Sequence, residues 1–347
     1  MEIKPYRPED AKIWDEFCLK SDDAWFWHTI NYMDFALWYK PSANPVNKSF
    51  FIKNGEEILA IFPLIRQTIN DKNIFLYGCN PTPQPCFRNS DTDDFKNKLL
   101  SIGLAEIDRI AKEEDCKELL MEITPLSKSR LLKLKYNYLL DFDFLITDTV
   151  TKIVTLSTFE EIKKNARKTY RHILQNYADK VRFSIYDQSN ITREIFLKYK
   201  ELHHLDAGRK TRPDENFWIM HDAIKDGNAF LAEVSNLAGE AIGYGLFYVY
   251  KNYALYGSAA THPSVDLPIG HLVQWNALQH LCSKNIELYD TSNQFPSFQL
   301  LQDFDEKRKQ ISFFKRGFGG ELHQVFRGRK IYDKSYLQEE LRKQLGF

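Results

Sequence analysis

Cysteine is scarce in this 347-residue chain. Cys18, Cys79, Cys86, Cys116 and Cys282 are odd in number, scattered, and contain no CxxC pair. That pattern argues against a disulfide framework or a zinc site and suits a reduced compartment. Cys79 and Cys86 flank a proline-rich loop and could meet, but two unpaired thiols are expected. No apolar run is long enough to span a bilayer, and residues 1–10 lack the hydrophobic core of a secretory signal. The expected localisation is therefore cytoplasmic, with no membrane span. Charge of one sign is also missing: 47 Lys and Arg balance 47 Asp and Glu. That balance argues against a dedicated nucleic-acid coat and leaves room for a local basic face; DNA is not an expected partner. His203 and His204 are adjacent, so on a helix they diverge, and Asp206 alone stands near them at ligand spacing. No metal site is expected.

What is present is core-forming material. Hydrophobic residues make up 43% and aromatics 14% of the chain, enough for substantial cores, and the length suits two domains. Residues 8–20 read as a helix with Pro8 in its first turn. An aromatic-dense helical segment runs from Trp25 to Trp38, and its spacing makes His28 a structural, hydrogen-bonded histidine. Ser49–Lys53, the Asn54-Gly55 turn and Ile58–Phe62 form a hairpin signature. A strand at Asn73–Gly78 leads into a proline-rich loop, then a helix over about 93–114 and a strand at Glu118–Ile123.

The second half repeats that order. A longer hairpin (Asn228–Glu233, then Ala241–Tyr250) precedes a strand at Asn252–Gly257, a loop with Pro263 and Pro268, a helix over about 269–283, and a strand at Ile286–Asp290. The Leu-Tyr-Gly of Leu76–Gly78 returns at Leu255–Gly257, and Glu118-Leu119 returns at Glu287-Leu288. An ordered set of echoes predicts two copies of one α/β unit, residues 1–150 and 151–347. Between them, Ser157–Glu161 carries capping-box spacing and opens one helix to Tyr177. Its basic face, Lys163 to Arg171, is either a solvated surface or a landing place for a tRNA acceptor stem. Further helices are expected from Arg193, capped by Gly208, and over 214–225. A last strand at Leu322–Phe326 and a helix over 334–345 close the chain.

The stretch Ile311–Gly320 (ISFFKRGFGG) is read as an apolar strand running into a glycine turn, with Phe314 and its neighbours as core. Lys315 and Arg316 lie between the two. A cation held rigidly beside such a turn suits developing negative charge, unless it simply faces water. Acyl transfer to an amine needs a deprotonated nucleophile, an oxyanion site and a proton for the leaving group. Asp290, at a strand end, can take a proton or hold an amine, or else caps the turn after it. Tyr256 can donate to a leaving oxyanion, or is a core tyrosine. Arg209, Lys210 and Arg212 crowd one loop after a helix end, a docking place for phosphate or carboxylate if it is not merely solvated.

These residues resemble the GNAT superfamily and more closely its tandem branch, the Fem-type peptidyltransferases. The matching stretches are Leu202-His203 through Arg209–Pro213, Tyr256–Thr261, Gly270 to Trp275, Tyr289-Asp290 and Phe314–Gly320. The first half matches only in its order of elements and its Trp25-to-Trp38 region. The resemblance implies two tandem GNAT-like domains of mixed α/β sheet, the active site involving the second. It implies an enzyme, an N-acyltransferase acting on an amine of a cell-envelope precursor or sugar nucleotide. Lys315 would offset charge on the intermediate or on the donor's phosphate, and Phe314, Arg316 and Gly270 would contact substrate. No tightly bound cofactor is implied; the co-substrate is aminoacyl-tRNA or acyl-CoA. Ordinary GNAT proteins seat the CoA pyrophosphate on a glycine-rich turn at a helix N-terminus. Here Asp266–His271 offers one glycine and no preceding basic residue. An acetyl-CoA-dependent N-acetyltransferase and a catalytically silent module holding an anionic ligand are the alternatives.

Overall fold

The structure, a computed structural model, describes residues 1–127, 136–295 and 305–346. The first elements are β1 (Glu2–Pro5), α1 (Ala11–Lys20), α2 (Ile30–Trp38), β2 (Val46–Asn47), β3 (Phe50–Asn54) and β4 (Glu57–Phe62). Then come β5 (Ile65–Ile69), β6 (Lys72–Phe75), β7 (Thr82–Pro83), β8 (Cys86–Phe87), α3 (Asp93–Glu113), β9 (Cys116–Ile123) and β10 (Phe144–Ile146). The second half begins with β11 (Thr149–Thr155), α4 (Phe159–Asn165), α5 (Lys168–Tyr177), β12 (Arg182–Tyr186), α6 (Arg193–Ala207) and α7 (Asp214–Lys225). It continues through β13 (Ala229–Ser235), β14 (Ala241–Tyr250), β15 (Tyr253–Thr261), α8 (Ile269–Ser283) and β16 (Leu288–Gln294). The chain closes with α9 (Glu306–Lys315), β17 (Glu321–Ile331) and α10 (Lys334–Leu345).

Contacts divide the described chain into two units: residues 1–149 with 324–346, and 150–295 with 305–323. Residues 324–346 therefore go with the first unit, whereas the sequence reading kept 151–347 together. The chemistry of β17 accounts for this. It pairs with β9 with Arg327 opposite Glu122, and Arg327 Nε donates to that carboxylate at 2.9 Å. Arg329 Nε donates to Glu118 at 2.7 Å, and both Arg329 and Glu118 are buried. Two buried cations with carboxylates in reach tie this strand to β9, since either partner alone would be costly there.

In the first unit, β1, β3, β4 and β8 form one sheet, and β17, β9, β6, β5 and β2 lie in another. Between β4 and β5 stands Pro63, which has no N–H for a ladder, so one long strand becomes two. In the second unit, β12, β13, β14, β15, β16 and β11 run as one sheet. Both units contain the predicted βαβ crossover: β6 and β9 pair in parallel around α3, β15 and β16 around α8. Each unit is thus a mixed sheet flanked by helices.

Each crossover helix lies very close to its sheet. A Cβ on Gly103 of α3 would lie 2.0 Å from Phe62 Cζ. In the second unit the glycines are on the sheet: a Cβ on Gly243 would lie 2.1 Å from Ile269 Cγ2, and one on Gly245 2.6 Å from Val273 Cγ1.

Most sequence-predicted elements stand within a few residues of their expected bounds, and His28 is fully buried. Its Nδ1 lies 3.0 Å from Trp25 N and its Nε2 2.9 Å from Gln84 O, the structural role its spacing suggested. None of the five cysteines is in a disulfide. Two expectations fail. The helix from the Ser157–Glu161 cap to Tyr177 is broken at Ala166-Arg167 into α4 and α5, because Arg167 N donates to Gly317 O instead of continuing the helix. The stretch before the glycines is not a strand but α9, whose last residue is Lys315. Its aromatics are not uniformly core: Phe313 is 58% exposed and Phe314 half-buried, while Phe318 is buried. Among the described residues no helix is long and apolar enough to cross a membrane.

Candidate active site

The site lies where two strands of the second unit part. The parallel pairing of β15 with β16 ends at Leu255–Asp290. Beyond that point β15 continues along β14 as far as Thr261, while β16 follows β11, with Asn293 opposite Thr151 and Gln294 opposite Val150. Asp290 is the last residue of β16 paired with β15, opposite Leu255, and Tyr256 is the first residue of β15 past that pairing, so the two stand at the base of the fork.

Helix α9 delivers the cation. It packs against β16, and Ser312 pins it: Ser312 Oγ accepts from Phe295 N at 2.8 Å and donates to Arg308 O at 3.0 Å. Ser312 and Lys315 are one turn apart and form the buried face, while Ile311, Phe313 and Arg316 face outward. Lys315 is 8% exposed, and its Nζ lies 5.6 Å from the centre of the Tyr256 ring. Burial lowers its ammonium to about 8, only partly opposed by the negative charge of Asp290. Among the described residues Lys315 makes no ion pair within 4.0 Å. The helix C-terminus supplies some compensating negative potential, and the Tyr256 ring face adds a little more.

Asp290 is 3% exposed and well anchored. Its Oδ1 accepts from the Thr151 hydroxyl and, at 2.7 Å, from Ser292 N. The second bond is made with Ser292 at φ 74, a left-handed conformation that costs a non-glycine residue energy and tends to persist where function holds it. Asp290 is therefore not at a strand end capping a turn, as the sequence suggested: it lies within β16, beside a bulge in the pairing with β11, and its charge acts on Lys315. Tyr256 stacks on Phe247 (5.5 Å, 25°). Burial raises its hydroxyl well above the usual tyrosine range, so it stays protonated at any ordinary pH. Behind it, Gln274 accepts from Tyr289 Oη at 2.5 Å.

Two residues along β15, Ser258 meets a group that sequence reasoning weighed only as a metal ligand. His203 Nε2 lies 3.1 Å from Ser258 Oγ, and Nδ1 lies 3.1 Å from Thr211 Oγ1. Burial and neighbouring Arg212 lower its imidazole to about 4, so it is neutral near pH 7 and a poor base. It orients the hydroxyl instead. No ligand spacing flagged this pairing, because it joins a helix to a strand 55 residues away.

The loop of three cations separates on folding. Arg212 turns inward, its guanidinium 5.4 Å from the Phe217 ring centre and 3.5 Å from His203 Nε2. Lys210 remains 62% exposed and pairs with Asp214 at 3.2 Å, and Arg209 is exposed. The structure thus brings Lys315, Asp290 and Tyr256 together, links Arg212 to the same strand, and leaves Arg209 and Lys210 at the surface. Phe314 packs on His271 (4.9 Å) and Phe318 (5.3 Å), and its Cζ lies 3.7 Å from where a Cβ of Gly270 would be. Arg316 faces away from the fork, into a neighbouring cavity with Lys152 and Arg167. No group of His, Cys, Asp and Glu suited to a metal ion occurs among the described residues.

No family model matches this chain, and no curated protein matches it at the level of sequence. Solved structures do. FemX is 12% identical, with a TM-score of 0.67 over 98% of this chain and 99% of that one. L-PGS from Bacillus licheniformis is 10% identical, with a TM-score of 0.62 over 99% and 98%. A C-terminal domain named for lysylphosphatidylglycerol synthetase, from Agrobacterium fabrum, is 14% identical, with a TM-score of 0.63 over 97% and 96%. These likenesses extend along essentially the whole chain on both sides, and what they share with it is the fold, as the Fem-type resemblance implied.

Proposed function

We propose that this protein is an acyltransferase that moves an acyl or aminoacyl group onto an amine, with the β15–β16 fork as its active site. The observation that carries the reading is the buried Lys315, without an ion pair among the described residues, beside Asp290 and Tyr256. An ammonium held out of water costs stability, on the order of 3 kcal/mol for a shift from 10.5 to about 8. Such a group is well suited to meet negative charge that exists only during a reaction.

In this reading Asp290 holds the incoming amine and takes its proton as nitrogen attacks the acyl carbonyl carbon. Lys315 offsets the negative charge on the tetrahedral oxygen. As the carbonyl reforms, the bond to the carrier breaks and Tyr256, protonated until that step, gives its proton to the departing oxygen or sulfur; the proton held by Asp290 then restores the tyrosine. His203 fixes the Ser258 hydroxyl, a further donor on the same strand. The name lysylphosphatidylglycerol synthetase favours an aminoacyl group, and the acceptor of choice is an amine of a cell-envelope precursor or sugar nucleotide.

Acyl-CoA ranks second as donor. At the start of α8, Ile269 N already donates to Leu267 O (2.7 Å) and His271 N to Pro268 O (3.0 Å), and Phe314 lies over Gly270. Few amides remain there for a pyrophosphate. A silent binding module is disfavoured by the unused cost of burying Lys315. The deciding experiment offers charged tRNA and acyl-CoA, each with a panel of amine acceptors including UDP-linked amino sugars. Turnover in the native chain that collapses in Lys315→Met is expected; equal turnover in the two would overturn the site.

A further inference from the structure

We infer that the second unit carries a phosphate-binding pocket distinct from the Lys315 fork, formed by Lys152, Arg167 and Arg316 around the glycine turn. The cavity measures about 550 Å³ and is lined by β11 from Lys152 to Thr155, by Asn165 and Arg167 at the α4–α5 break, and by residues 316–321. The sequence reading had placed Arg316 with the lysine before it, and Arg167 on a general basic face. Folding separates Arg316 from Lys315 and joins it to Arg167 and to a lysine that no motif had singled out.

The charge balance is the first argument. Among the described residues, three cations line one cavity with a single carboxylate, Glu321, which is exposed. None of the three makes an ion pair within 4.0 Å among the described residues. In a chain with 47 charges of each sign, most cations near a carboxylate can find one. Here Lys152 is half-buried, and its ammonium is lowered by burial and by Arg316 and Arg167, in that order, against a weaker pull from Glu321. The cations therefore repel one another, and a dianion would relieve all three.

The shape of the wall is the second argument. Gly317, Gly319 and Gly320 press bare backbone against their surroundings. A Cβ would lie 1.9 Å from Tyr170 Cε2 at Gly317, 3.3 Å from Asn165 O at Gly319 and 2.4 Å from Ile153 O at Gly320. Gly319 and Gly320 also have φ of +89° and +81°, which side-chain-bearing residues seldom adopt. The turn is locked to the α4–α5 break by Arg167 N donating to Gly317 O at 2.8 Å. Arg167 itself is held in place: its guanidinium sits 4.1 Å from the Phe313 ring centre and donates to Phe313 O at 3.4 Å. A fixed arginine, a second arginine and a lysine around a rigid backbone turn match the geometry of phosphate, which takes planar arginine donors and a point charge together. If the enzymatic reading holds, this places a phosphate of the carrier or acceptor one residue beyond the catalytic lysine, but the pocket's affinity does not depend on that reading.

The test is calorimetric titration of inorganic pyrophosphate into the full chain at low ionic strength. Arg316→Gln, Lys152→Met and Lys315→Met are compared, with Lys309→Gln as control, a lysine of α9 that pairs with Glu306 and does not line the cavity. Arg316→Gln changes an exposed side chain and keeps the fold testable. Affinity is expected to fall at least tenfold in Arg316→Gln and in Lys152→Met, and to stay within twofold of native in Lys309→Gln and Lys315→Met. Absence of binding at millimolar pyrophosphate, or loss in Lys315→Met with none in Arg316→Gln, would overturn the pocket. Competition by a nucleoside diphosphate and by a phosphodiester trinucleotide then identifies the source of the phosphate. Because the readout is binding, a chain that binds pyrophosphate but transfers no acyl group would refute the proposed function and leave this pocket standing.

Discussion

The two units build the same crossover and treat its fork in opposite ways. In the second, β15 and β16 part at Leu255–Asp290, and the space receives a lysine, a carboxylate and a tyrosine. In the first, the proline-rich loop after β6 returns as β7 and pairs with β9, Thr82 opposite Met121 and Pro83 opposite Glu122. Gln84 then closes it: its amide donates to Asp23 O, its Oε1 accepts from Thr124 N, and its carbonyl lies 2.9 Å from His28 Nε2. By the Leu-Tyr-Gly echo, Tyr77 stands where Tyr256 does. It is buried, raised well above its ordinary range by burial, and packed on Tyr32. By the Glu-Leu echo, Met121 stands where Asp290 does. One fork is sealed by its own loop and contributes stability; the other holds charge and accepts its cost. The difference arises in the segments after the paired strands, not in the α/β unit itself.

The sharpest way to break this comparison is Lys315→Met. Turnover should fall by about 10²–10³, the scale of losing one preorganised charge stabiliser, while the melting temperature rises as a buried ammonium disappears. Unchanged turnover would make the second fork as inert as the first. Asp290→Asn should cost about tenfold to a hundredfold in turnover, measured under the same conditions. The converse change, Met121→Asp, puts an unpaired charge into the sealed fork; by equilibrium denaturation it should lose about 3–5 kcal/mol and gain no activity.

Overpacking probes the two close helix–sheet contacts. Gly103→Ala and Gly243→Ala should each destabilise by about 1–3 kcal/mol in chemical denaturation, although one glycine is on a helix and the other on a strand. If only one responds, the contacts are not equivalent. The smallest expected effect concerns pH. The Lys315 ammonium titrates at about 8 when folded, against 10.5 for an ordinary lysine. Between those values the unfolded chain binds more protons, so this residue's contribution to stability rises with pH across about 8 to 10.5, and its cost is complete below 8. Turnover should decline as pH rises through about 8, because the charged form does the work. A rate that increased there would assign Lys315 the role of a base.

The order of elements was legible in the sequence because it rests on local signals. Alternation, turn dipeptides and caps placed the hairpins and the crossover helices, and the Gly208 cap of α6 is left-handed at φ 65, as its position suggested. The mistakes arose where a tertiary partner outbid local propensity. Arg167 breaks a helix to reach Gly317 O, and Ile311–Phe314, apolar enough for a strand, coils into α9 with Ser312 bonded to the end of β16. The site was legible only in part. Lys315, Asp290 and Tyr256 could be named one at a time, but Ser258 with His203, and Lys152 with Arg316, join elements that no spacing rule connects.

Sequence alone determined the periodicities, the glycines that permit close approach, and the near-absence of cysteine and net charge, since these depend on nearest neighbours and on composition. Only the tertiary structure decided which cations are buried, which are paired and which are left facing one another around a cavity. Burial and proximity set the energy of a charge, and both arise from residues far apart in the chain.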